Sequence, residues 1–130
     1  MEASVLFRGA QKLRQCAHNW ENRQTPEFRE KLAHAIEFNQ TLWTFLQVEL
    51  GNPANPLAES LRLNLLELSR FIDQRIFALL SDRGTARDLM SIARINEQIA
   101  EGLQAKPVDS QPLEEKEESL PQTGSLDITG

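Results

Sequence analysis

The chain has 130 residues, a formal net charge of −5, 40% hydrophobic residues, 6% aromatics and no tyrosine. Length and apolar share fit one small globular domain whose core is built from leucine and isoleucine. The lone Cys16 excludes an internal disulfide, and no apolar run approaches the roughly 20 residues that span a membrane.

The first predicted helix runs from about Ala3 to Asn22, with Leu6, Ala10, Leu13, Ala17 and Trp20 stepping by three and four along one face. The second starts at Thr25 as cap and Pro26 at the first position, where a missing N–H leaves no bond unmade. It runs to Leu50, with Gly51 as a left-handed stop, and NPANP cannot prolong it because residues before proline are pushed out of helical geometry. Asn55 and Pro56 repeat that start chemistry for a third helix. Leu57, Leu61, Leu65, Leu68, Ile72, Ile76 and Leu79 form its seam, and Leu66, Phe77 and Leu80 widen it. Apolar residues on several faces predict a central helix. SDRG ends it, and Thr85 with Asp88 forms a capping box for a fourth helix that buries Leu89, Ile92, Ile95, Ile99 and Leu103. Short links between long helices predict an all-α fold, a small antiparallel bundle of about four helices.

After Leu103 the pattern stops. Residues 104–130 are rich in Pro, Glu, Ser and Gln, and six carboxylates against two lysines give this tail −4 and the rest of the chain −1. Such a segment cannot bury enough surface to offset its ordering entropy. The predicted organisation is a helical domain over 1–103 and a disordered acidic tail over 104–130. Neither part offers the basic field that drives nucleic-acid affinity.

Catalytic chemistry needs converging groups, and few are visible. His18 and His34 lie in different helices with no third ligand at metal-like spacing. Cys16 and His18 point about 200° apart on a helix, so they form no nucleophile–base pair. Glu37, Glu49, Glu59 and Glu67 read as solvated helix faces. There is no glycine-rich phosphate loop and no zinc spacing. LPQTG at 120–124 resembles a sortase signal, but SLDITG follows it instead of an apolar segment, so it reads as coincidence. The expectation is a non-enzyme that takes no cofactor or metal.

Three asparagines lie near apolar helix faces: Asn39, Asn64 and Asn96. For Asn64 and Asn96 a backbone carbonyl or water is the expected partner. Asn39 sits within the stripe Ile36, Trp43, Leu46, where a buried amide without partners costs about 1–3 kcal/mol. Pairing with a neighbouring helix, which sets register, is expected there. Trp43 is its expected neighbour one turn on, and Asn39→Leu is expected to keep stability while loosening the bundle's uniqueness.

The strings AIEFNQTLWTFL, NPLAESLRLNLLELSRFIDQR and LMSIARINEQIAEGL, in that order over roughly residues 30–103, resemble a divergent member of the FlaF family of flagellar biosynthesis regulators. Asn39, Leu42 and Trp43 match its Asn followed by Leu-Trp. Leu61 and Arg62 match a helix start, Ser69 and Arg75 a Ser with a downstream Arg, and Asn96, Ile99, Gly102 and Leu103 its closing segment. The resemblance implies a non-catalytic cytoplasmic protein that promotes flagellin synthesis and export, with flagellin and the regulator FlbT as partners. It also implies helix-in-groove binding, in which a small bundle covers an amphipathic flagellin helix. Trp43, Phe38, Phe45 and Phe71 do not share one face, so some are candidate exposed anchors. Two other readings stand beside this one: a self-associating module whose outer apolar face makes a homodimer, and an RNA-binding regulator of flagellin message. Charge argues against the second. No membrane partner is expected, and the N-terminal MEASVLFRGAQKLRQ has no long apolar region of a signal peptide. Deleting residues 104–130 is expected to leave the helical circular-dichroism signal per folded residue intact; its collapse would make the tail structural.

Overall fold

The apolar periodicity becomes four α-helices and one 3-10 turn in the computed structural model, which describes residues 2–105. They are α1 (Ala3–His18), the turn Trp20–Asn22, α2 (Pro26–Gly51), α3 (Glu59–Leu80) and α4 (Ala86–Ala105). No strand occurs among the described residues, and the all-α expectation holds. Helix α4 continues two residues past Leu103. From Lys106 onward the predicted tail lies outside the described residues.

Local chemistry sets two helix starts as predicted. Thr25 Oγ1 accepts from the Phe28 amide at 3.2 Å with Pro26 in the first turn. At α4 the Thr85 amide donates to Asp88 Oδ2 at 2.8 Å, and the Asp88 amide donates back to Thr85 Oγ1 at 3.4 Å. This reciprocal box pairs two amides that a helix start would otherwise leave orphaned.

Three local expectations are corrected. The first helix ends at His18, because Asn19 folds its side chain back onto the Gln15 carbonyl at 2.8 Å and a 3-10 turn follows. There Trp20 meets Phe28 edge-on, with ring centroids 5.7 Å apart. Gly51 is the last helical residue of α2 and no left-handed stop; Asn52 leaves the helix in extended geometry. Asn55 does not cap α3. Its Oδ1 accepts from Leu57 N at 3.0 Å, and its amide donates to the Glu49 carbonyl at 2.9 Å, so the Asn–Pro pair builds the link and α3 starts at Glu59. The other turn that matches a known stop is after α3, where Asp82 takes φ 61° and Arg83 N reaches back to the Ala78 carbonyl at 2.9 Å.

The central helix is α2, and the expectation for α3 is overturned. Helix α2 buries Phe28, Ala35, Ile36, Asn39, Leu42, Trp43 and Leu50 along its length. Helix α3 buries only Ser69, Ile72, Ile76 and Leu79, from its midpoint onward. Leu61 of its expected seam is 46% exposed, and of the residues that widen it Phe77 is 63% and Leu80 58% exposed, with Leu66 half-buried. Leu6, Ala10 and Leu13 of α1 and Leu89, Ile92, Ala93 and Ala100 of α4 complete the core. Each fully buried leucine or isoleucine contributes about 1.5–3 kcal/mol. At the far end of α4 the prediction fails: Leu103 is 41% exposed.

Polar clasps join the elements. Arg62 Nη1 donates to the Leu50 carbonyl at 2.9 Å, placing a cation at the C-terminus of α2, where the helix dipole favours it. Arg14 on α1 grips Glu97 on α4 with two parallel bonds, Nε to Oε2 at 2.7 Å and Nη2 to Oε1 at 2.6 Å. Such bidentate, partly buried pairs outperform ordinary surface ion pairs. The Arg14 guanidinium holds the Glu97 carboxyl below the usual glutamate range, and Glu97 in turn raises Arg14. A carboxylate whose pKa is lower folded than unfolded adds stability at pH above its unfolded value. That stability is lost as pH falls through the depressed folded value. Arg14→Ala should therefore destabilise the fold near neutral pH and lose its effect in acid. Urea unfolding of both proteins across that acid window checks this; a pH-independent difference would mean the arginine acts through packing alone.

Candidate functional site

The strongest geometry in the chain is a buried network of amides where α1, α2 and α4 meet. Asn39 and Asn96 are both 0% exposed. Asn39 Nδ2 donates to the Gly9 carbonyl at 3.1 Å and to the Ala35 carbonyl, one turn back, at 2.9 Å. Asn96 Nδ2 donates to Asn39 Oδ1 at 2.7 Å and to the Leu6 carbonyl at 3.4 Å. Trp43 Nε1 donates to Asn96 Oδ1 at 2.8 Å. Every amide hydrogen and both amide oxygens are used, which turns an expensive burial into a specific one.

Gly9 makes the approach possible. A Cβ there would lie 2.6 Å from Asn39 Oδ1, 3.0 Å from Asn96 Nδ2 and 3.1 Å from Leu42 Cδ2. Sequence reasoning missed this residue, although an isolated glycine inside a helical apolar pattern signals close packing. Asn96 does find the expected backbone carbonyl, that of Leu6 on α1, but sequence reasoning missed its side-chain partners Asn39 and Trp43 on α2. For Asn39 the cross-helix pairing is as expected, and Trp43 is linked to it through Asn96.

The remaining candidate residues are scattered. Leu42, 5% exposed, packs beside the network. Ser69, buried on α3, donates to the Leu66 carbonyl at 2.6 Å. Arg75 Nη1 reaches Asp88 Oδ1 at 3.4 Å while its guanidinium lies 5.3 Å from the centre of the Phe71 ring, joining α3 to the start of α4. Its buried Nε has no partner. Leu61 is exposed, Arg62 closes α2, and Gly102 faces open space. Asn64 is exposed, as expected. The candidates therefore form no single site: Asn39, Leu42, Trp43 and Asn96 converge, and the others do not join them.

Two grooves flank the contact between α1 and α2. One of about 1110 Å³ is lined by polar residues including Lys12, Gln15, Asn19, Lys31 and His34, with Cys16 and Phe28 among its walls. The second, of about 570 Å³, is lined by Val5, Phe38, Leu42 and Phe45, with Glu2, His34, Glu37 and Thr41 around them. Phe45 is 49% exposed and Phe38 half-buried beneath the Lys12 ammonium, whereas Trp43 is buried. The candidate aromatic anchors thus divide: Phe45 and Phe71 are exposed, and Trp43 belongs to the core. Among the described residues no group of three or more His, Cys, Asp or Glu side chains converges, and no helix is long and apolar enough to cross a membrane.

The network revises the expected effect of Asn39→Leu. The change would leave one Asn96 hydrogen unpaired in the core, whereas the Gly9 carbonyl keeps its bond within α1, so it should destabilise the chain by about 1–3 kcal/mol. Gly9→Ala should cost at least about 2 kcal/mol by forcing the amides apart. Asn39→Leu and Asn96→Leu should couple by more than about 1 kcal/mol in a double-mutant cycle followed by urea unfolding. Additive effects would dissolve the network into independent contacts.

Comparison with curated proteins finds no match, and comparison with solved structures finds none. A family model, described as flagellar protein FlaF, matches residues 1–103. The match includes α1, which the resemblance over roughly residues 30–103 left out, and so it takes in Gly9 as well as Asn39, Trp43 and Asn96. Covering the amide network and all four helices, it shows that the chain belongs to the FlaF family of flagellar proteins.

Proposed function

We propose that this FlaF-family chain is a non-catalytic cytoplasmic binding protein that promotes flagellin synthesis and export by covering an amphipathic flagellin helix. The observation that carries the reading is the groove between α1 and α2. Its walls Val5, Phe38 and Phe45 and its floor Leu42 present apolar surface in a concave strip, the shape that receives one face of a helix. Phe45, about half exposed in the last third of α2, is the anchor, because an aromatic side chain that loses its remaining water on binding contributes strongly. Family membership supports the flagellar setting, and FlbT is the second proposed partner.

The buried amides take no direct part in this binding. Their role is to hold α1 against α2 so that the groove keeps its width. This division of labour predicts separable variants. Phe45→Ser should leave helix content and cooperative unfolding unchanged while weakening flagellin capture at least about tenfold. Co-purification of the full chain from a flagellated bacterium, scored separately for flagellin and FlbT, checks both partners. Absence of both from the wild-type capture would sink the reading, and unchanged flagellin capture by Phe45→Ser would move binding away from the groove.

A further inference from the structure

The outer face of α3 carries a second stripe, four apolar residues around a central charge pair, that the fold leaves mostly uncovered, with Leu66 half-buried. Leu63, Leu66, Arg70, Asp73, Phe77 and Leu80 follow each other by alternating steps of three and four. That is a 3.5-residue period, the repeat of a coiled-coil seam. At 100° per residue the stripe is centred about 110° around α3 from the buried line Ser69, Ile72, Ile76, Leu79. Leu63 is 49% exposed, Phe77 63% and Leu80 58%. Helix α3 therefore has two seams, one facing the bundle and one facing outward.

From its charge order we infer that this outward seam pairs with the same seam of a second copy of the chain, antiparallel, to form a homodimer. Setting Leu63 against the other copy's Leu80 places Leu66 against Phe77 and Arg70 against Asp73. Each layer occurs twice, about a twofold axis passing between Phe71 and Ile72. Two apolar layers thus close each end, and opposite charges meet in the middle. The parallel arrangement would set arginine against arginine and carboxylate against carboxylate, which is the repulsive element that selects direction. Asp73 is already positioned by Gln47 on α2, whose Nε2 donates to Oδ2 at 2.9 Å. The Arg83 guanidinium lies 5.6 Å from the Phe77 ring centre, so the ring meets Leu66 of the second copy with its other face.

The seam from Leu63 to Leu80 is about 26 Å long, and a single helix pair of that length buries a small area. The dimer is therefore concentration-dependent. It uses α3 alone, leaves the α1–α2 groove open, and does not depend on the flagellin-binding reading.

Light scattering on the full chain across a concentration series tests this. A monomer–dimer equilibrium is expected. Arg70→Asp alone or Asp73→Arg alone should shift the midpoint at least about tenfold toward monomer, and the two together should restore it by re-pairing the charges. Phe77→Ser, at an exposed position that leaves the fold intact, should also give monomer. Direction is read by cross-linking in a Cys16→Ala background. Leu63→Cys mixed with Leu80→Cys should link, whereas Leu63→Cys alone should not, because its two copies lie about 26 Å apart. A monomer at every concentration overturns the inference. So does a dimer that the charge changes leave untouched, or Leu63→Cys linking to itself. A monomer whose flagellin capture is lost on Phe77→Ser would also overturn it and give the seam to that partner.

Discussion

Two asparagines facing each other in a dry core are the constraint on which the remainder of this bundle depends. Leucine–isoleucine contacts tolerate small slides between helices, since volume and pattern matter more to them than register. The Asn39–Asn96 pair has one alignment in which both amides and the Trp43 indole find partners, and the Leu6 and Gly9 carbonyls receive the remaining hydrogens. Sliding α1, α2 or α4 by one residue would strand several of these groups at once. The network adds modest net energy as made and a large penalty if broken. That asymmetry gives a small leucine-built domain a single arrangement. Gly9 belongs to the same constraint, because the backbone of α1 must come close enough for its carbonyls to be reached.

With these polar residues committed inward, the exposed apolar surfaces lie elsewhere. The groove walled by Val5, Phe38 and Phe45 belongs to α1 and α2, and the outward seam belongs to α3. The family-signature positions split along the same line. Asn39, Trp43 and Asn96 shape the scaffold, whereas Leu61 and Leu103 are exposed and Arg62 and Arg75 are clasps between elements. A sequence signature can thus mark architecture more than contact, and Trp43, the most conspicuous aromatic of the chain, is buried.

What could be read from the sequence followed the range of the interactions involved. Thr25–Pro26 and Thr85–Asp88 act within one turn, so their residues alone place two helix starts. Asn55–Pro56 looked equivalent, but there the asparagine side chain serves the link and the end of α2, and the competing bonds are invisible in the string. The burial of Asn39 was legible from its stripe; its partner was not, because Asn96 is 57 residues away. The apparent centrality of α3 came from counting apolar faces. Periodicity cannot tell a face covered by the same chain from one left exposed, and in α3 the two coexist. Leu103 failed differently: the apolar rhythm of α4 outlasts its burial.

Cys16 gives this architecture a measurable clock. The thiol is 5% exposed near the contact of α1 with α2, and burial pushes its pKa up, against a smaller downward pull from Lys31. Alkylation requires a thiolate in contact with reagent. A thiol so placed, in the wall of the larger groove, reacts slowly while the helices are closed and faster whenever α1 lifts away from α2. The rise of its labelling rate above that slow floor therefore reports parting of the groove-forming helices, at a native position needing no introduced probe.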